Sequence, residues 1–374
     1  MEVGGGGGRD GDLSSELSNF FQVLVLAMAS LSYCYYIASR IPTGLFRLLS
    51  VLPVIYIFII LPLRLSSANI GGLTAFLLVW LANFKLLLFS VNQGPLSPPP
   101  PNLFHFISVA CLPIKIKPPS NSSSSTALKK NTNDHVIKKA YNHKTQQVLL
   151  VVKVVLLGLI YYALNYKQNF HMSFILVLYC CNMYLQLELL LLISAAPARA
   201  LFGFELEPQF NEPYLTTSLQ DFWGHRWNLM VTSILRPTVY YPIRRISTRL
   251  IGSMLAHPTA VMASFVVSGL MHEVMYYYIT RVPPTWEVFW FFVLHGVCLV
   301  VEGTVKRAFP GKLPLLSAVY GPLAVVFLAV TSVWLFWPQL LRSGVDDKVI
   351  AEFFMTLDFV KKKVLMLMQF WHEK

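Results

Sequence analysis

Two ionisable residues stand side by side in an otherwise apolar stretch. They are His272 and Glu273, in Pro258–Ile279, PTAVMASFVVSGLMHEVMYYYI. Its 22 residues are enough to cross a bilayer core as a helix of roughly 33 Å. His272 would lie about 21 Å along that helix, at membrane depth. On one helical face it joins Ser264, Phe265, Ser268, Gly269 and Tyr276, a small and mildly polar set. An ionisable group there is costly, so function is the default reading. A neutral histidine hydrogen-bonding across a helix interface is the other, and this helix alone leaves the two level.

Two more groups could do chemistry. Ser218–Asn228, SLQDFWGHRWN, packs two tryptophans, an acid, cations and an amide into eleven residues. Asp221, Arg226 and Asn228 either line a polar cavity or belong to an interfacial belt, with Trp223 and Trp227 at headgroup level. His295 lies in VLHGVCLVVEG, seven residues before Glu302 on the same helical face. Alone, His295 reads more readily as structural than as a ligand.

Several chemistries are missing. The chain has no G-x-S-x-G elbow, no P-loop and no H-E-x-x-H, since Val274, Met275 and Tyr276 follow His272-Glu273. No histidine spacing suggests iron or zinc, so no metal is expected. A histidine at membrane depth, with amide and cation candidates and no activated serine or cysteine, suits direct group transfer with histidine as general base.

The elements that must position these residues are membrane helices. Of 374 residues, 55% are hydrophobic and 13% charged, which is not the composition of a soluble globular protein. Apolar runs predict eight spans: 20–38, 45–63, 70–91, 147–166, 170–195, 258–279, 286–305 and 319–341. Pro53 should kink the second, and Lys85 should snorkel from the third to the interface. In the fifth, Asn182, Gln186 and Glu188 should face protein.

Between the spans, 103–116 is too short to cross and suits an interfacial or re-entrant piece. Residues 197–250 should form short helices on or dipping into the membrane. Residues 349–371, interrupted by Lys361, Lys362 and Lys363, read as an amphipathic surface helix. The glycine-rich residues 1–19 should be a flexible tail without a cleavable signal, and 20–374 one membrane-embedded domain holding a polar mobile loop, 117–144, and the motif region 197–303.

The net charge of +12 lies mainly in loops and the tail, and reads as topology and contact with anionic lipid, with no nucleic-acid partner expected. Arg40, Arg47, residues 117–144, Arg244, Arg245, Arg249, Lys306, Arg307 and Lys312 fall in alternate loops, which places odd-numbered loops in the cytosol. The five cysteines, with no C-x-x-C pair, read as free thiols.

SLQDFWGHRWN and SGLMHEVMYYY, with LHGVCLVVEG behind them, resemble the membrane-bound O-acyltransferases. More narrowly they resemble the plant wax synthase branch, as do SYCYYIASRIPTGLFRLLSVLP and WLANFKLLLF. Plant acyl-CoA:sterol acyltransferases are closely similar. The resemblance covers most of the chain outside the glycine-rich start and the serine loop. His225 stands where the wax synthase form would more readily have arginine.

The resemblance implies an all-α polytopic membrane enzyme, expected in the endoplasmic reticulum, that esterifies a long-chain alcohol from acyl-CoA as co-substrate, without a cofactor. A sterol or a diacylglycerol is the alternative acceptor. His272 matches the family's histidine and would serve as base through Nε2; Asn228 matches the motif asparagine. Trp223, Arg226, Trp227, Glu273 and His295 are then candidate substrate contacts. Glu273 either orients His272 or lines a helix interface, and the roughly 100° between adjacent helical residues weighs against direct pairing. Arg244, Arg245 and Arg249 are candidates for the coenzyme A phosphates. A multi-pass transporter and a non-catalytic scaffold are the rival classes.

Overall fold

The computed structural model describes residues 6–114, 132–202, 207–308 and 317–372. Among them no strand occurs, and eight helices are long and apolar enough to cross a membrane. These are Ser14–Arg40, Leu45–Arg64, Ala68–Ser90, Gln147–Asn165, Met172–Ser194, Ser253–Thr280, Glu287–Ala308 and Tyr320–Arg342. The apolar runs thus gave all eight spans. The protein is an all-α polytopic membrane protein. Its exposed apolar side chains, such as Phe46, Leu49 and Tyr56 on the second span, have the character of a lipid-facing surface, whereas Val51, Val54 and Phe58 turn inward.

The chain divides into two compact units where the sequence suggested one: Met1–Lys115 with Pro208–Lys374, and Ile116–Glu207. The second unit holds the fourth and fifth spans. Lys153 and Glu188 meet there at 2.5 Å, and Asn182 donates to Gln186. The first unit holds the other six spans and every candidate site residue.

Local chemistry departs from expectation at four places. The glycine-rich start is helical from Gly6, and residues 1–5 lie outside the described residues. Glu16 anchors that helix by accepting from the Ser66 and Ser67 N–H groups at 2.8–3.1 Å and from Ser66 Oγ at 2.7 Å. The polar loop is helical from Thr132, as the start of Thr132–Asn165; residues 117–131 of that expectation lie outside the described residues. Lys85 does not snorkel. It is fully buried, and Nζ donates to Val109 O at 2.7 Å and Leu112 O at 2.8 Å, capping the C-terminal end of the short helix Leu103–Cys111. Arg47 is also buried, its guanidinium spent on the carbonyls of Ser39 and Ile41.

Residues 349–371 lie in the helix Val345–His372, which is not among the eight spans. Glu352 on it caps the start of the third span through the Ala68 and Asn69 N–H groups.

Close packing of the sixth and seventh spans fixes the site. A Cβ on Gly269 would come within 3.1 Å of Phe289 O, and one on Gly296 within 2.9 Å of Phe265 Cβ. Small residues let the two backbones approach. Glu273 adds a polar tie: its carboxylate accepts from the Phe289 N–H at 3.1 Å in the first turn of the seventh span, where a helix has no donors' partners of its own.

Candidate active site

A cavity of about 450 Å³ opens beside the sixth span. Its wall includes His272 and Ser268 from that span, Phe292 from the seventh, Trp80 from the third, and Trp223, Trp227 and Asn228 from the motif.

His272 Nδ1 lies 2.7 Å from the backbone carbonyl oxygen of Ser268, one turn back on the same helix. A carbonyl only accepts, so Nδ1 carries the proton. In the neutral ring Nε2 then holds a free lone pair, and no partner takes it among the described residues. Two aromatic rings hold the imidazole plane. Phe292 stacks on it with centroids 4.1 Å apart and planes 27° apart, and Trp80 stands perpendicular at 5.0 Å and 87°. Trp80 is supplied by a π-helical segment, Phe76–Ala82, inside the third span. Such widened turns recur at functional sites.

Asn228 is set by its backbone. Its φ of 39° lies in the left-handed region, which asparagine tolerates better than most residues. Oδ1 accepts from the Val231 N–H at 3.3 Å and caps the helix Leu229–Leu235. That leaves the Nδ2 hydrogens as the donors available at the cavity wall. Trp227 stacks on Phe222 at 5.3 Å, and Trp223 packs against Phe265 and Phe292, each at 5.6 Å.

The model of the membrane bound O-acyl transferase family matches residues 206–294, a range that contains Asn228 and His272. The long-chain-alcohol O-fatty-acyltransferase of Simmondsia chinensis is 47% identical over 96% of this chain and 99% of its own length. Probable long-chain-alcohol O-fatty-acyltransferases 1 and 3 of Arabidopsis thaliana are each 44% identical, over 93% and 95% of this chain and 98% and 99% of theirs. The chain belongs to the membrane bound O-acyl transferase family. It is an acyltransferase, and neither the transporter nor the scaffold reading describes it.

In this acyltransferase four of the expected site residues, His272, Asn228, Trp223 and Trp227, share the cavity wall, and three do not. Arg226 turns away from the cavity to clamp the motif. Its Nε donates to Asp221 Oδ2 at 2.6 Å, and Nη1 donates to the carbonyls of Asn211 and Glu212. Burial pushes the Asp221 carboxyl up, but Arg226 and the Thr217 N–H and hydroxyl outweigh it and leave its pKa below the ordinary value. Glu273 neither orients His272 nor reaches the cavity, because it is spent on the start of the seventh span.

His295 is fully buried behind the wall, bonded to Trp223 and Thr331. It does not pair with Glu302, whose carboxylate accepts from the Gln220 N–H at 3.0 Å and pairs with Lys306.

Other wall residues went unread in the sequence. Trp80 and Phe292 carry no signal beyond being apolar residues in apolar spans. Tyr240 and His257, joined at 2.7 Å, and Arg236 also lie in the wall; of the three arginines expected to meet the coenzyme A phosphates, Arg244 lies there and Arg245 and Arg249 do not. His257 was missed because the sixth helix begins at Ser253, before Pro258. Among the described residues no group of histidine, cysteine and carboxylate side chains could hold a metal ion.

Proposed function

We propose that this acyltransferase transfers a long-chain acyl group from acyl-CoA to a long-chain fatty alcohol and so forms a wax ester, with His272 as general base. The printed names of its relatives support the alcohol as acceptor. The observation that carries the mechanism is the His272–Ser268 bond, which reserves the Nε2 lone pair for a substrate proton.

In this reading the alcohol hydroxyl gives its proton to His272 Nε2 while its oxygen attacks the thioester carbonyl carbon. Collapse of the tetrahedral intermediate expels the coenzyme A thiolate, which takes the proton back from the imidazolium. General-base help of this kind contributes typically 10²–10⁴-fold. Asn228 Nδ2 donates to the developing oxyanion. The apolar part of the wall, with Val231, Leu235, Val261, Phe265 and Leu299, suits the long chains, and its polar groups suit the reacting ends. Arg236 and Arg244 at its wall suit the coenzyme A phosphates. The basic residues of the odd-numbered loops favour a cytosolic donor end, as in an enzyme of the endoplasmic reticulum membrane.

The test is expression in cells lacking neutral-lipid synthesis, offering fatty alcohol or sterol and identifying the ester made. Wax ester from fatty alcohol supports the proposal. Sterol ester alone would move the acceptor to the sterol class.

A further inference from the structure

His295 does not touch the cavity, yet every hydrogen around it is accounted for. The indole N–H of Trp223 can only donate, and it lies 3.2 Å from His295 Nδ1. Nδ1 is therefore the acceptor, and in the neutral ring Nε2 carries the proton. Nε2 lies 2.9 Å from Thr331 Oγ1, whose own hydrogen goes to Phe327 O at 2.7 Å. The threonine can then only accept from His295. This chain fixes one tautomer, and that tautomer fixes Trp223. His295 is fully buried and Thr331 nearly so, so water does not substitute for either bond.

Trp223 in turn is a wall residue whose ring packs on Phe292, the ring that stacks on His272. A loose indole would alter the cavity wall and remove support from the stack that holds the base. We infer that His295 is a positioning residue for acyl transfer, acting through Trp223 in the tautomer that Thr331 enforces. The inference rests on this cavity being the acyl-transfer site.

The test is a double-mutant cycle on the full-length protein in membranes, with rates normalised to inserted protein. Trp223→Phe removes the donor, and His295→Leu removes the acceptor. Each should lower kcat/KM roughly tenfold, as loss of one buried hydrogen bond can. The double variant should be no worse than the poorer single one. His295→Asn, which can offer an acceptor near the position of Nδ1, should recover most of the rate. Thr331→Ser should behave as wild type, and Thr331→Val should reproduce His295→Leu.

Altered preference among alcohols of different chain length in the same variants would mark a moved wall, which a merely structural histidine would leave unchanged. Independent, multiplying losses in the cycle, or wild-type kinetics in His295→Leu, would overturn the inference. Should His295→Leu fail to accumulate, the Thr331 pair decides: equal rates for Thr331→Ser and Thr331→Val would sink it. His272→Ala run in parallel separates the two readings. If it is active, the site itself is wrong; if it is inactive while the cycle is additive, only the positioning role is wrong.

Discussion

His272 donates through Nδ1 to the backbone oxygen of Ser268 at 2.7 Å, four residues earlier on the same helix. The acceptor is main chain, so the helix itself sets the tautomer, and no side-chain substitution at position 268 removes it. Ser268→Ala should therefore retain the base and keep activity within a few-fold of wild type. A loss comparable to that of His272→Ala would mean that the Ser268 hydroxyl, rather than its carbonyl, matters. Steady-state rates of the two variants at equal inserted amounts distinguish these.

Asn228 combines a left-handed backbone, a helix cap and a free amide, and substitutions can separate them. Asn228→Gly tolerates the φ of 39° and costs only a few tenths of a kcal/mol as a cap, but it has no donor. It should fold and insert, and lose about 10²–10³ in kcat if Nδ2 stabilises the oxyanion. Near-normal turnover by Asn228→Gly would reduce Asn228 to a cap.

The aromatic clamp should appear in kcat rather than KM. Phe292→Leu and Trp80→Leu each release one side of the imidazole ring. An aromatic pair is worth about 0.5–1.5 kcal/mol, so each should cost roughly 2- to 10-fold in kcat, with Trp80→Phe milder. Kinetics with saturating alcohol would show the split; a pure KM effect would assign these rings to substrate binding.

The spans and the two motif cores were legible because long apolar runs and intramembrane polar residues are single-segment signals. Partnerships were not. Glu273 is adjacent to His272 in sequence, yet the helix turns it toward the Phe289 N–H of the next span. Arg226 and Asn228 share a motif, but only Asn228 lies in the cavity wall, because Asp221 and two loop carbonyls take the guanidinium. Lys85 looked like a snorkelling cation until the helix Leu103–Cys111 supplied carbonyls to it, a contact between segments that no local pattern encodes. Trp80 has the same difficulty: its role depends on which ring it faces.

The Lys85 cap should matter for stability alone. Lys85→Met strands two buried carbonyl oxygens at a cost of about 1–3 kcal/mol. Thermal unfolding in detergent should occur at lower temperature, while turnover per folded molecule stays near wild type. A catalytic loss without destabilisation would place Lys85 in the mechanism.

The Asp221–Arg226 clamp gives a pH signature. The Asp221 pKa is lower in the folded protein, so its stabilisation is complete above the unfolded value and is lost as pH falls through the folded one. The unfolded value is about 3.9, so the loss should develop from about pH 5 downward. Asp221→Asn should be less stable than wild type at neutral pH and should lose less on acidification. Parallel melting curves at pH 7 and about pH 3 check this; identical pH dependence would deny the clamp its role.

The most direct measurement of the central claim is the turnover of His272→Gln, normalised to inserted protein, with fatty alcohol and acyl-CoA both saturating. Glutamine retains hydrogen bonding but takes no proton at neutral pH. With His272 as the base, kcat should fall by about 10²–10⁴-fold. Retention of more than about a tenth of the rate would bound the lost stabilisation below ~1.4 kcal/mol, too little for a general base, and would make His272 a packing residue.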